Sequence, residues 1–248
     1  MIQEGLLLPV TIVKEGASLH ISHQEVLSIR KCENINTQLE ITQKKLSTNW
    51  VCEEDCLLLL DCTSIKVTAG KLVLRRVRID ILSKLLAFVD GASSEKTSSD
   101  GVCFFGCIPC NCSIFTDRSQ SEAWFLAAYV TKQPWINSLS NLLRRTECYG
   151  LVCYLFSKSL QQASLYELGK AYGVSYSHFR RLCSHALGGK VKSEMCSWRM
   201  AWAVLELIEG KSDMTSAAYK YGYSSSSHFS AEVKNRLGKT PRELCKKS

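Results

Sequence analysis

Two similar segments near the end of the chain decide the fold, YGVSYSHFRRLCSHALG at residues 172–188 and YGYSSSSHFSAEVKNRLG at residues 221–238. They share a Tyr-Gly pair, a Ser-His-Phe triplet and a Leu-Gly pair in the same order, about 50 residues apart. An internal repeat of this period indicates one supersecondary unit that is used twice. In each copy a glycine interrupts the helical pattern and a serine follows, which predicts two helices joined by a tight turn.

The first copy shows the signals of the two helices most clearly. Ser164, followed three residues later by Glu167, is a capping box that predicts a helix start, and Gly173 predicts its end. After a second cap at Ser175, apolar residues recur at the spacing of a buried helical face, at Phe179, Leu182, Cys183 and Ala186. The same signals recur in the second copy at Asp213, Gly222 and Ser225. Two short helices, the second with a polar and partly basic outer face, are typical of a helix-turn-helix unit.

The segment between the copies predicts one long helix. Its apolar residues fall on a single stripe, formed by Val191, Met195, Trp198, Trp202, Leu205 and Ile208. At about 1.5 Å per residue, this helix would be a strut of roughly 28 Å. A strut of this length could hold two recognition helices about one DNA turn apart, which is roughly 34 Å.

With these elements in place, residues 146–248 resemble the DNA-binding domain of the AraC/XylS family of bacterial transcription regulators. The family signature lies in the second copy at Gly222-Tyr223, His228-Phe229, Val233-Lys234, Gly238 and Thr240-Pro241, and in the linker at Arg199 and Ala203. The chain is similar to one branch, the InvF/MxiE-type activators of type III secretion genes, at Tyr172-Gly173-Val174-Ser175, Phe179-Arg180, Leu182-Cys183, Trp198-Arg199 and Ile81 to Asp90. It departs from the family at Leu244-Cys245, where an aromatic residue and an arginine are expected; this concerns the packing of the last turn.

The two predicted recognition faces differ in chemistry. The first offers Arg180 and Arg181, whose guanidinium groups suit the O6/N7 edge of guanine, unless they form only a solvated charged face. The second offers serines and a lysine, which suit phosphate. We therefore expect the first unit to read most of the sequence and the second mainly to position the protein. The predicted DNA contacts are Ser177, His178, Arg180, Arg181 and Ser184 in the first unit and Ser226, Ser227, Ser230 and Lys234 in the second.

The charge of the chain supports the same division. Lys+Arg and Asp+Glu balance over residues 1–150, so the formal net charge of +8 belongs to residues 151–248. A basic region beside a neutral one indicates that the C-terminal part meets a polyanion, here double-stranded promoter DNA. The family resemblance implies two further partners, RNA polymerase and a type III secretion chaperone that acts as a coactivator. It also implies virulence genes as targets.

The N-terminal half predicts a different class of structure. Short β-type runs, with Ala69-Gly70 as a hairpin tip, are typical of a small barrel or sandwich. Within residues 1–78 they lie at residues 6–13, 19–22, 26–30, 39–42, 56–61 and 65–74. Helical spacing follows over residues 79–90 and 121–132, with a Ser-rich loop at residues 92–101. One or two further helices are predicted over residues 135–159, and the apolar helices just before the DNA-binding part could pack on the strands or form a homodimer interface. We predict an α+β chain, with a β-rich regulatory or partner-binding domain at residues 1–134 and an all-α DNA-binding domain at residues 135–248.

Cysteines are the one chemical feature that the repeat does not explain. Four of the 13 lie close together, at Cys103, Cys107, Cys110 and Cys112. Four thiolates can bind zinc, but this spacing is tighter than that of most zinc sites and no histidine lies nearby. The pattern favours unligated thiols over a metal centre or a redox-sensing thiol. A cysteine-based metal or redox sensor, or a thiol-transfer protein, using the same DNA-binding domain is therefore the alternative function.

Other classes of protein lack support in the sequence. There is no phosphate-binding glycine loop, His-Glu-x-x-His motif or Gly-x-Ser-x-Gly motif, so we expect neither an enzyme nor a cofactor. The apolar runs are too short for a membrane span, and the N-terminus lacks the features of a signal peptide. We therefore expect a cytoplasmic protein whose cysteines are reduced.

Overall fold

The computed structural model describes residues 5–32, 35–44, 46–92, 105–159, 163–187 and 190–245. The chain forms two compact units, residues 1–150 and residues 151–248. The first unit contains an antiparallel sheet with helices on it, and the second unit is helical. The predicted α+β class, with a β-rich N-terminal part and an all-α C-terminal part, is therefore confirmed.

Antiparallel strands form the framework of the first unit. They are β1 (Leu7–Lys14), β2 (Ser18–Arg30), β3 (Gln38–Gln43), β4 (Leu46–Val51), β5 (Cys56–Ala69), β6 (Lys71–Val77) and β7 (Phe105–Pro109). Within the described residues, six strands follow the order β1-β6-β2-β5-β3-β4. The seventh strand, β7, pairs with the first half of β5, while β3 pairs with the second half. Gly70 lies between β5 and β6 with a φ of 77°, but the predicted hairpin is wrong, because in the described residues both strands pair with β2 and not with each other.

A bulge joins two predicted strands into one. The runs at residues 19–22 and 26–30 both belong to β2, whose register with β5 shifts between Ile21 and Gln24. On the opposite strand, Cys62 has a φ of 50°, which is rare for a residue other than glycine. Ser22 and His23 of β2 thus face Cys62 alone, and such an extra residue in one strand bends it and increases its twist. The bend lets the long strands β2 and β5 curve around a core instead of forming a flat sheet.

Strand β5 separates two cores because its side chains alternate between the two faces of the sheet. Leu58 and Leu60 are fully buried in a cluster that, among the described residues, consists of strand and loop side chains without a helix. Since no helix of the described residues covers this cluster, the curved sheet itself encloses it, as happens in small barrels. Leu57 and Leu59 lie in a second cluster, which the strands share with helices.

Three helices and a short 3-10 helix pack on that second face. They are α1 (Asp80–Ala92), the 3-10 helix Cys112–Thr116, α2 (Arg118–Val130) and α3 (Ile136–Arg144). Phe125 and Leu143 are fully buried there, so the prediction that helices before the DNA-binding part pack on the strands is confirmed. Because α3 belongs to this core, the first compact unit extends to Gly150. The functional boundary between residues 134 and 135 and the homodimer interface stay predictions. The expected loop at residues 92–101 falls almost entirely outside the described residues.

A half-buried ion pair fixes α3 to α1. The guanidinium of Arg144 donates from Nε and Nη2 to the two oxygens of Asp90, both at 2.8 Å, and each side chain is only 12% exposed. The hydroxyl of Tyr149 donates to the same carboxylate at 2.8 Å. This carboxylate raises the pKa of Arg144 above its usual value. Asp90 ends the run from Ile81 on which the family resemblance partly rests, so its role in that run is structural.

The second unit consists of short helices around one long helix. They are α4 (Glu147–Ser157), which starts within the first unit, α5 (Leu165–Tyr172), α6 (Tyr176–Leu187), α7 (Val191–Ile208), α8 (Met214–Lys220), α9 (Ser226–Leu237) and α10 (Pro241–Cys245). The pairs α5–α6 and α8–α9 are the two predicted copies, and α7 is the predicted linker. None of the helices in the described parts of the chain is long and apolar enough to span a membrane.

Candidate nucleic-acid interface

The first helix pair begins with the predicted capping box. The hydroxyl of Ser164 accepts from the backbone N–H of Glu167 at 3.2 Å, and the carboxylate of Glu167 accepts from the backbone N–H of Ser164 at 2.7 Å. These bonds hold the pKa of Glu167 below its usual value. Gly173 ends the helix with a φ of 85°, and Ser175 caps α6 by accepting from the N–H of His178 at 3.3 Å. The local signals therefore place both helix starts and the turn between them.

A glycine sets how closely the two helices of this pair approach. A Cβ on Gly169 would lie only 3.0 Å from the Cβ of Phe179, so a larger residue would push α5 away from α6. Phe179 is fully buried, and its ring lies against Tyr154 and Tyr172, with centroids 6.4 and 5.6 Å away. The buried side of α6 is thereby fixed, which leaves its opposite side at the surface.

That opposite side of α6 carries the predicted reading residues. Arg180 and Arg181 are exposed, Ser177 and Ser184 share their face, and His178 is half-buried at its edge. Among the ion pairs and hydrogen bonds of the described residues, none engages either guanidinium. Both groups are therefore available to an external acceptor.

The second helix pair repeats the first with different close contacts. Asp213 caps α8 by accepting from the N–H groups of Thr215 and Ser216, and Ser225 caps α9 by accepting from the N–H of His228 at 3.1 Å. In the turn, Gly222 has a φ of 80°. A Cβ there would lie 3.1 Å from Nη1 of Arg199 on the linker helix. Two residues of the family signature thus meet where the linker packs on the second turn.

The outer face of α9 is less basic than that of α6. Ser227 and Lys234 are exposed, whereas Ser226 and Ser230 are half-buried. The hydroxyl of Ser230 donates to Sδ of Met214 at 3.2 Å, so this side chain is directed into the unit. Arg236 pairs with Glu232 at 3.1 Å. Of the predicted contacts on this face, Ser227 and Lys234 are the ones that project most fully into solvent.

The linker helix α7 is confirmed as one helix, but its predicted single stripe is wrong. Met195 and Trp198 are buried in the first half as expected, and the Trp198 ring lies 4.4 Å from that of Phe156. In the second half, however, Leu205 and Ile208 are 43% and 40% exposed. The apolar residues buried there are Met200, Ala203 and Val204, which pack with the second helix pair. At about 100° per residue the two buried sets lie on roughly opposite sides of the helix, so the two pairs pack on different faces of α7.

An acidic side chain on α7 binds two side chains of the second pair, one lysine and one tyrosine. Glu206 accepts from Nζ of Lys220 at 2.7 Å and from the hydroxyl of Tyr221 at 2.8 Å. These bonds lower the pKa of Glu206, while burial and the carboxylate raise the pKa of Tyr221 to about 12. The charge of Lys220 is thus partly neutralised within the unit.

The cysteine cluster is only partly described. Cys103 lies outside the described residues, Cys107 is exposed, and Cys110 and Cys112 are half-buried. The thiol of Cys112 donates to the carbonyl of Cys56 at 3.5 Å, and burial raises the pKa of Cys110 to about 12. Over the described positions, no group of three or more His, Cys, Asp or Glu side chains is placed to bind a metal. The cysteine-based alternative stays a prediction.

Two helix-turn-helix units on one linker define a double helix-turn-helix DNA-binding protein, and comparison with known proteins gives the family. A family model described as a helix-turn-helix domain matches residues 168–247. The invasion protein InvF of Salmonella typhimurium is 42% identical over 207 residues, which cover 83% of this chain and 96% of that protein. The transcriptional regulator MxiE of Shigella flexneri is 35% identical over 175 residues, covering 68% and 83%.

The chain therefore belongs to the AraC/XylS family of transcriptional regulators, in the branch of the InvF/MxiE-type activators of type III secretion genes. It is a DNA-binding regulator and not an enzyme, as the sequence predicted. The solved structure of ToxT from Vibrio cholerae aligns over 96% of both chains at 12% identity with a TM-score of 0.38, a likeness too low to add to this assignment.

Proposed function

We propose that this protein activates type III secretion genes by reading promoter DNA with α6 and by holding its position with α9. The observation that carries the proposal is the exposed face of α6, where Arg180 and Arg181 are engaged by no other described residue. The proposed contacts are those predicted from the sequence: Ser177, His178, Arg180, Arg181, Ser184, Ser226, Ser227, Ser230 and Lys234. As a regulator of promoter DNA, the protein would act in the cytoplasm.

The two helix pairs would have different roles in DNA binding because their exposed groups differ. Arginine can donate two parallel bonds to the O6/N7 edge of guanine, so α6 supplies base readout. Among the predicted contacts on α9, the exposed groups are a hydroxyl at Ser227 and an ammonium at Lys234, which bind phosphate irrespective of sequence. The 18 residues of α7 span about 27 Å, close to the roughly 34 Å between successive major grooves on one side of DNA.

The first unit would receive the regulatory signal. It carries no net charge over residues 1–150, so no net positive charge attracts it to DNA. We assign to it the binding of a type III secretion chaperone as coactivator, or the formation of a homodimer. RNA polymerase would be the partner that the promoter-bound protein recruits.

Binding of the purified full chain to a footprinted promoter site and to random DNA tests the reading face. Arg180→Ala and Arg181→Ala should each cost about 1–3 kcal/mol at the specific site and relax base preference there. Lys234→Ala should weaken binding to both DNAs and make the salt slope shallower by about one unit. Lys211→Ala is the control, because this exposed lysine pairs with Glu209 at 2.7 Å. Equal losses on specific and random DNA for both arginine variants would refute the assignment of α6 as the reading helix.

A second experiment tests the assignment of the chaperone to the first unit. A fragment that begins at Glu147, where α4 starts, keeps both helix pairs and the linker and avoids exposing the buried face of α3. It should bind the promoter site but give no response to a co-expressed chaperone in a reporter assay. A fragment that still requires the chaperone would place the partner surface in the second unit.

A further inference from the structure

A groove crosses the turn of the first helix pair. It has a volume of about 410 Å³ and is lined by Tyr166, Lys170, Gly173, Val174, Ser175 and Tyr176. Tyr166 and Lys170 are four residues apart on α5 and so share a face, while Tyr176 is the first residue of α6. The groove therefore lies at the corner where the first helix ends and the candidate reading helix begins.

The side chains around this groove suit an anion. Tyr166 and Tyr176 are 62% and 45% exposed, and their ring centroids lie 6.3 Å apart, so two phenolic hydroxyls and one ammonium border the same space. No ion pair among the described residues engages Lys170. The neighbouring carboxylate of Glu167 is occupied by the capping box at Ser164 and lines a different cavity. The groove thus combines three hydrogen-bond donors with one positive charge and no lining carboxylate.

Helix-turn-helix units place such a corner beside one DNA strand. Their first helix crosses the sugar-phosphate backbone, and the N-terminal residues of the second helix enter the major groove. Given the proposed reading role of α6, on which this step rests, Tyr166 and Lys170 would lie at the backbone and Tyr176 at the edge of the major groove. We propose that the groove seats one backbone phosphate, which Lys170 and the hydroxyls of Tyr166 and Tyr176 hold.

The second helix pair lacks this combination. Counting from its Tyr-Gly pair and its Ser-His-Phe triplet, the equivalent positions hold Thr215, Tyr219 and Ser226. The adjacent lysine, Lys220, is already paired with Glu206. The proposed phosphate seat is therefore specific to the first pair, where it would fix the register of α6 on the bases that this helix reads.

Single variants in the full chain test the seat on the footprinted promoter duplex and on random DNA of equal length. Lys170→Ala should weaken binding to both DNAs roughly 10- to 100-fold at low salt and make the salt slope shallower by about one unit. Tyr166→Phe and Tyr176→Phe remove only a hydroxyl and should each weaken binding roughly two- to tenfold without changing the slope. Tyr219→Phe is the matched control, because Tyr219 is 61% exposed in the second pair; it should bind as the unaltered chain does. Thermal unfolding of each variant checks that the fold is unchanged.

A chemical change on the DNA identifies the phosphate itself. Duplexes that carry one uncharged methylphosphonate at successive positions should reveal a phosphate whose neutralisation weakens the unaltered chain but not Lys170→Ala. The absence of such a position, or a loss in Tyr219→Phe equal to that in Tyr166→Phe, would overturn the phosphate seat. If Tyr166→Phe and Tyr176→Phe weaken binding to the promoter duplex but not to random DNA, the phosphate seat is also overturned, because the tyrosines would then read bases. If Arg180→Ala binds specific DNA less well while Lys170→Ala does not, the seat fails and the proposed reading helix stands; if neither variant is impaired, both fail.

Discussion

Replacement of Trp198 by alanine tests how the linker helix holds the second unit together. The indole is only 2% exposed and lies 4.4 Å from the ring of Phe156, so it joins α7 to α4. A buried tryptophan removes roughly 150–250 Å² from water, which at about 25 cal/mol per Å² is worth about 4–6 kcal/mol. This figure is an upper bound because the unfolded chain also shields part of the side chain. Measured Trp→Ala changes in cores are about 3–5 kcal/mol, and we expect a value in that range.

The effect is large relative to the stability of a single domain, which is about 5–15 kcal/mol. Urea unfolding of the full chain, followed by helical circular dichroism, should therefore show an early transition for the second unit of Trp198→Ala. Leu205→Ala is the matched control on the same helix, because Leu205 is 43% exposed and its truncation should change the free energy of unfolding by less than about 1 kcal/mol. Trp198→Phe keeps an aromatic ring beside Phe156 and should recover part of the loss. Coinciding transitions for Trp198→Ala and Leu205→Ala would refute the packing described for α7.

Three further changes test other contacts. Arg144→Met leaves the carboxylate of Asp90 half-buried without its cation and should lower the free energy of unfolding of the first unit by about 3–5 kcal/mol in urea. Gly169→Ala places a Cβ 3.0 Å from Phe179, so it should lower the melting temperature, at a cost of about 1–3 kcal/mol, although alanine favours helices. The pKa of Glu206 lies below its usual value in the folded chain, so the ionised carboxylate stabilises the fold above about pH 4.3, and this contribution is lost as the pH falls through the folded-state pKa. Glu206→Gln should therefore show a weaker loss of stability on acidification; an unchanged acid-unfolding profile would contradict the bonds described here.

The helix-turn-helix units could be predicted from the sequence because their signals are local. The capping box at Ser164 and Glu167 needs only four adjacent residues, and the structure contains both of its reciprocal bonds. Gly173 and Gly222 were predicted as breaks, and both adopt a positive φ. Such signals depend on a few neighbouring residues and not on the elements that pack against them. They can therefore be recognised in the sequence before the fold is known.

Features that depend on distant partners could not be predicted in the same way. Strand β4 was missed because its exposed residues, including Leu46 and Asn49, show no buried alternation. The two buried sides of α7 depend on which helix pair each half meets, so a single stripe through Leu205 and Ile208 was the natural but incorrect expectation. Tyr166 and Lys170 also gave no signal, since only the turn brings them beside the start of α6.

The repeat gives two helix pairs with the same fold but different distributions of charge. In the second helix pair, Lys220 is paired with Glu206 and Arg236 with Glu232. DNA could therefore bind these cations only by replacing the carboxylates that already bind them. That exchange gains less than a new contact, because the internal pair must first be broken. On α6 no described residue competes for the guanidinium of Arg180. Under the proposed division of roles, the same backbone would supply specific reading in one copy and a weaker, positional contact in the other, and the internal pairing of charge would separate the two roles.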